Sequence, residues 1–189
     1  RNIAQGGNTL RYSLGSSDNI ALGTGALTGS STSLMAAVIG NIAIGNGEIN
    51  SNISGSHNLA MGNSVLTLNT TGSNNTSIGY GSLQSNISGS YNVAFGNGAG
   101  YGDGSTMDQR SVVDTYSGFI GYQASRAESV ASTSLITNAW AIGKNARVGM
   151  SNAIILGGTS TDAVNVGIGT TTPGATLTIR GSGSTNPFE

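Results

Sequence analysis

Apolar and polar positions alternate in short bursts along this chain, and one burst keeps returning. It reads Asn41-Ile42-Ala43-Ile44-Gly45, Asn58-Leu59-Ala60-Met61-Gly62, Asn75-Thr76-Ser77-Ile78-Gly79 and Asn92-Val93-Ala94-Phe95-Gly96, with closing glycines 17 residues apart. The phrase also stands at Asn2–Gly6 and Asn19–Gly23, and degraded copies follow at Ser117–Gly121, Ala139–Gly143, Ala153–Gly157 and Asn165–Gly169. A fixed period of this size predicts a stacked solenoid. Each phrase predicts a short strand, because side chains alternate faces along a strand: Ile20 and Leu22 point one way and Ala21 the other. One face is bulky and the other small, yet both are apolar. A strand apolar on both faces is buried on both, so one face is expected to fill the coil interior and the other to pack on something outside it.

The closing glycine fits a sharp turn that needs positive φ or leaves no room for a side chain. A second apolar site follows at Leu10, Leu27, Ile49, Leu66 and Leu83, and then a polar corner such as Ser51–Ser56, Asn69–Asn74 or Ser85–Ser90. Asn, Ser and Gly supply the side-chain-to-backbone bonds and left-handed conformations of tight turns. Asn repeated in register further predicts a ladder of amide hydrogen bonds along the stack. With strands about 4.8 Å apart, the coils would make a body on the order of 45 Å long. Three segments, Thr28–Gly40, Tyr101–Tyr116 and Ser125–Asn138, lengthen their coils. The chain therefore divides into a β-roll shaft (1–100), an irregular inserted region and candidate receptor-binding part (101–138), further β coils with a terminal strand at Ala175–Ile179 (139–180), and a Gly/Ser-rich flexible tail (181–189).

Composition sharpens this picture by exclusion. Charged residues are 8% of the chain, hydrophobic ones 37%, and the net charge is -1. Disordered chains combine high charge with few apolar residues, so this one is expected to fold. Seven Lys and Arg scattered against eight acids make no basic stripe for nucleic acid. The absence of cysteine removes disulfides and thiolate metal sites. No run of about 18 apolar residues predicts membrane insertion, and residues 1–20 lack the order of a signal peptide. Both ends lie in patterned or linker-like sequence, as in a piece of something longer. A 17-residue coil holds too few large apolar side chains to offset the ordering of its backbone. The second apolar face thus predicts a partner, most simply a copy of the same chain.

The phrase Asn-x-Ala-x-Gly, with a following Gly-x-Leu and the corner Asn69-Thr70-Thr71-Gly72-Ser73-Asn74-Asn75, resembles the head repeats of trimeric adhesins. Its 17-residue form, as in Asn75–Asn92, is more similar to the version in phage tail fibres. Asn165-Val166-Gly167-Ile168-Gly169-Thr170-Thr171-Thr172-Pro173, followed by a Leu-x-Ile strand, is similar to the segment that precedes the self-cleaving intramolecular chaperone of tail fibres and tailspikes. The resemblance covers roughly residues 1–100 and 139–180. It implies an all-β fold: an intertwined or side-by-side homotrimer of left-handed parallel β-roll coils with inserted loops. It also implies a mature fibre ending at Glu189 after its chaperone has cut itself off. The expected role is that of a receptor-binding tip of a long tail fibre on the virion, attaching to a host cell-surface polysaccharide or protein receptor. The head of a bacterial trimeric adhesin at the cell surface is the alternative owner.

Candidate chemistry gathers where the period breaks. Asp103, Asp108, Arg110, Asp114, Arg126 and Glu128 are six of the chain's fifteen charges, and loops mounted on rigid scaffolds are where binding residues tend to sit. Tyr101 and Tyr116 bracket the first charged stretch without equivalents in the regular coils. These eight residues form the candidate receptor-binding set. Tyr91, Tyr122 and Trp140 are further aromatics for a sugar-stacking platform, although Trp140 takes the slot of Ile20 and Ile42 and is expected in a core. His57, the single histidine, would bind a metal only if three copies met on a trimer axis; at a variable corner it reads as a solvated turn residue. Asp103, Asp108 and Asp114 paired with Glu128 would suit a polysaccharide depolymerase, but that claim needs a carboxylate separation. The expectation is a non-catalytic protein without cofactor. Gly-x-Gly pairs such as Gly79-Tyr80-Gly81 are repeat punctuation, since no helix follows them.

Overall fold

The computed structural model describes residues 1–11, 15–29, 38–101, 114–127, 135–168 and 170–179. The strand phrases form β1 (Ile3–Gln5), β2 (Ile20–Leu22), β3 (Ile42–Asn46), β4 (Leu59–Asn63), β5 (Thr76–Ile78), β6 (Val93–Phe95), β7 (Gly118–Ile120), β9 (Ala139–Ile142) and β11 (Ala153–Leu156). These nine pair in chain order into one parallel sheet. A second, two-stranded parallel ladder, β8 (Ser125–Arg126) with β10 (Arg147–Val148), lies further along two of the coils. The fold is all-β, and no α-helix occurs among the described residues.

The register is that of the repeat: Ile20 opposite Ile42, Ala21 opposite Ala43, Leu22 opposite Ile44, and so on through Ile44, Met61, Ile78, Phe95 and Ile120. Every coil hangs on the next through backbone bonds such as Ile20 N–H to Asn41 O and Leu59 N–H to Asn75 O, both 2.8 Å. The small face turns inward. Ala21, Ala43, Ala60, Ser77, Ala94 and Ala141 are fully buried, and Leu27, Ile49, Leu66 and Leu83 fill the same interior from beyond the turn. The interior is too narrow for large side chains from both walls, and exchanges between walls confirm it. Where Phe119 takes the Ala94 position, Gly100 takes the Leu83 position, and a Cβ on Gly100 would lie 3.0 Å from the Phe119 ring.

The bulky face turns outward. Met61 is 38%, Phe95 55% and Leu156 47% exposed, with Ile42, Ile44, Ile78, Ile120 and Ile142 half-buried between them. Trp140 belongs to this outer column, which corrects its expected place in a core: it packs over Gly118, whose missing side chain makes the room. Leu10, Leu27, Ile49, Leu66 and Leu83 all take left-handed backbone, with φ of 46–51°. That conformation is costly for a bulky residue and worst for β-branched Ile49. It persists because it swings each side chain into the interior.

The expected Asn ladder is present. The Oδ1 of Asn2, Asn19, Asn41, Asn58 and Asn75 each accepts the backbone N–H of the next asparagine at 2.8–3.0 Å. Each Nδ2 of Asn41, Asn58 and Asn75 donates back to the previous Oδ1 and sideways to a corner carbonyl, Gly55, Gly72 or Gly89. A shorter series adds Asn52, Asn69 and Asn86, each closing its own corner on Gly55, Gly72 or Gly89.

The sheet does not stop at the irregular region, since β7 and β9 continue it across residues 101–138. It does stop earlier than the phrase series predicts. β12 (Val166–Ile168) pairs in parallel with β13 (Leu177–Ile179) and not with β11. Between β11 and β12 the chain turns away in a 3₁₀ turn at Ser160–Asp162, where Lys144 Nζ meets Asp162 Oδ1 at 2.7 Å and Asn145 Nδ2 meets Oδ2 at 2.6 Å. The expected tail 181–189 lies outside the described residues.

Candidate receptor-binding surface

Four of the eight candidate residues, Asp103, Asp108, Arg110 and Glu128, lie outside the described residues. The structure separates the other four. Asp114 and Arg126 were expected at a receptor contact, and burial corrects this: they are 0% and 2% exposed and face each other inside the coil, Arg126 Nη1 lying 3.2 Å from Asp114 Oδ1. The same Oδ1 accepts the Ile136 N–H at 3.1 Å, and the Asp114 carbonyl accepts Asn92 Nδ2. Asp114 thus stands where earlier coils place the corner glycines Gly55, Gly72 and Gly89. Its carboxylate is committed to structure rather than to acid–base work.

Tyr116 lies just before β7, in the left-handed corner column that also holds His57, Asn74 and Tyr91. Tyr91 and Tyr116, from adjacent coils, stack with ring centroids 4.8 Å apart and planes 4° from parallel. Both are exposed, at 50% and 58%. His57 is an exposed member of the column, its ring beside Gly40. Among the described residues no group of three or more His, Cys, Asp and Glu is placed to hold a metal ion.

Tyr101 lies beyond the other end of the strand and meets a residue that sequence reasoning missed. A cleft of about 200 Å³ is lined by Tyr80, Gly81, Gln84, Asn97, Gly98, Tyr101 and Gln123. It draws on three consecutive coils. Tyr80 follows the closing glycine of β5, in the column that reads Thr24, Asn46, Asn63 in earlier coils. Aligning the coils at that glycine, rather than searching the insertions, exposes Tyr80 as the first aromatic of the column, with Tyr122 in the same position two coils later. A larger, open groove of about 480 Å³ runs along the glycine turns, lined by Gly23, Thr24, Gly45, Asn46, Gly62 and Asn63.

Two polar positions in the interior differ in kind. Ser77 and Ser82 replace Ala60 and Val65 of the previous coil together, and their hydroxyls bond each other at 2.7 Å. Glu48 replaces the equivalent of Ala26 and Val65 alone. It is fully buried with Oε1 beside Gly45, and neither carboxyl oxygen meets a hydrogen-bond donor in bonding geometry. Burial pushes its pKa up to about 7, only partly offset by the nearby backbone amides of Glu48 and Asn46. At the surface, the contact with Lys144 holds the Asp162 carboxyl below the usual range, and the same contact raises Lys144. No described helix is long and apolar enough to cross a membrane. No known protein family, curated protein or solved structure matches the chain.

Proposed function

We propose that this chain is a non-catalytic attachment protein: a homotrimer of left-handed β-roll coils that forms the receptor-binding part of a phage tail fibre. The observation that carries the proposal is the outward face of the nine-stranded sheet, where large apolar side chains from Ile3 to Leu156 stand in register with no other described part of this chain packed over the most exposed of them. A contiguous apolar surface of this kind marks an interaction site. Because the column repeats coil after coil, the partner best fitted to it repeats with the same period, and a second and third copy do so by construction. A rigid shaft closed in this way suits attachment, with three copies of each weak receptor contact acting through avidity.

The reading is tested in two steps. Light scattering on the purified chain should return about three times its 18.8 kDa mass; a clean monomer overturns the assembly. Pull-down of intact bacterial cells should then retain the chain and lose it on substitution of Tyr101, Asp108 and Arg110. Unchanged retention in that variant moves the receptor contact away from the insertion.

A further inference from the structure

The Tyr80–Tyr101 cleft has a chemistry that the shaft elsewhere lacks. Among the described residues its lining carries two aromatic rings, three carboxamides and two glycines, and no charged side chain. Tyr80 and Tyr101 are 61% and 37% exposed. Gly81 and Gly98 are among the lining residues, and the equivalent positions in the flanking coils carry the side chains of Ser64 and Gln123. The cleft is therefore made by what two glycines omit. Arg147, which reaches the Gln123 backbone, donates to the Gln123 carbonyl and, at 2.8 Å, to Ser125 Oγ.

The side-chain amides of Gln84, Asn97 and Gln123 line the cleft and make no hydrogen bond to another described residue. A carboxamide offers donors and an acceptor side by side, which matches neighbouring hydroxyls, themselves donor and acceptor at once. Tyrosine offers an apolar ring face with a polar tip, which matches the C–H face of a sugar ring. The volume is below the roughly 300–1,000 Å³ of pockets for drug-sized ligands and suits a single ring. A lining whose described side chains are all uncharged disfavours anionic sugars, which would give up hydration without gaining a cation from it.

We infer that this cleft, on the regular shaft rather than in the insertion, is a binding subsite for one uncharged pyranose unit of a glycan. The inference rests on the attachment reading above and specifies its ligand class. The test uses the whole chain with tyrosine rings isotopically labelled, titrated with methyl glycosides of glucose, galactose, mannose and N-acetylglucosamine, and with glucuronic acid as the charged control. At least one uncharged glycoside should shift the Tyr80 and Tyr101 ring resonances while Tyr91 and Tyr116 stay still. Tyr80→Ala and Gln84→Ala should each weaken that binding about three- to tenfold, with the circular dichroism spectrum of the parent chain. Silence at Tyr80 and Tyr101 with every uncharged glycoside overturns the inference, as does stronger binding of glucuronic acid. The wild-type titration reads the cleft directly, so a variant that fails to fold does not decide the outcome. Cell pull-down separates the two proposals. Retention on cells with a silent cleft removes only the subsite, whereas a responsive cleft on a chain that binds no cell removes the attachment reading.

Discussion

At the scale of single residues, the fold tolerates little variation at two kinds of position. Gly45 has φ of +137°, and a Cβ there would fall 1.6 Å from the Gly62 carbonyl oxygen of the next coil. Neither backbone can retreat, because each is hydrogen-bonded to coils above and below. Gly45→Ala should therefore cost at least about 3 kcal/mol through strain and overpacking, read as a fall in the urea midpoint of unfolding. Glu48 is the second kind. Its folded pKa of about 7 lies above the ordinary carboxyl value of 4.5, so the folded chain binds the extra proton between these values and stability falls as pH rises through that window. Below it both states are protonated and the penalty vanishes. Glu48→Val, which copies Val65 of the next coil, should stabilise the chain at pH 8 by on the order of 2–3 kcal/mol. The gain should close by pH 4, as thermal melts at the two pH values will report. An equal gain at both would mean that packing, not charge, limits this position.

Single coils are held by their asparagines as much as by their strands. Asn58 accepts the Asn75 N–H and Nδ2 through Oδ1, and its own Nδ2 reaches Asn41 and Gly72. Removing the side chain strands several buried polar groups, each worth about 1–3 kcal/mol when unsatisfied. Asn58→Ala should cost about 2–4 kcal/mol by denaturant titration, whereas Asn63→Ala at the exposed turn should leave the midpoint where it was. The pattern of the repeat made this ladder legible beforehand, because an amide at a fixed phase of a 17-residue period has only its own copies as neighbours. Nothing in the sequence marked Leu27, Ile49, Leu66 and Leu83 as left-handed. Leucine and isoleucine avoid that conformation, and only the demand to fill a narrow interior from its second wall imposes it.

The whole molecule presents one long apolar face, and its assembly is the property most exposed to experiment. Phe95 stands near the middle of the sheet at 55% exposure. Phe95→Glu should leave the coil intact, since the side chain points away from the interior, but it places a charge inside the proposed contact. Light scattering should then report the mass of one chain in place of three. An unchanged trimer would move the contact to another face, with the open groove along the glycine turns as the next surface to test. The Asp114–Arg126 pair belongs to this scale as well. It joins the end of one irregular segment to the start of the next, 12 residues on and across β7, so the two charges looked from the sequence like surface residues of a loop and proved to be an internal tie.

The sequence by itself determined the strands, their parallel order and register, the sharp glycine turns and the asparagine ladder. These are local or periodic properties, and a period read along the chain is a neighbour relation across the stack. The tertiary structure decided which apolar face lies inside, because both faces qualify by composition and only the width of the coil chooses alanine over isoleucine. It also decided that the series ends at β11, where Asp162 is held by Lys144 and Asn145. Finally, it brought Tyr80 to Tyr101 across adjacent coils. Side chains 21 residues apart share a cleft only because stacking converts that interval into a single step between coils.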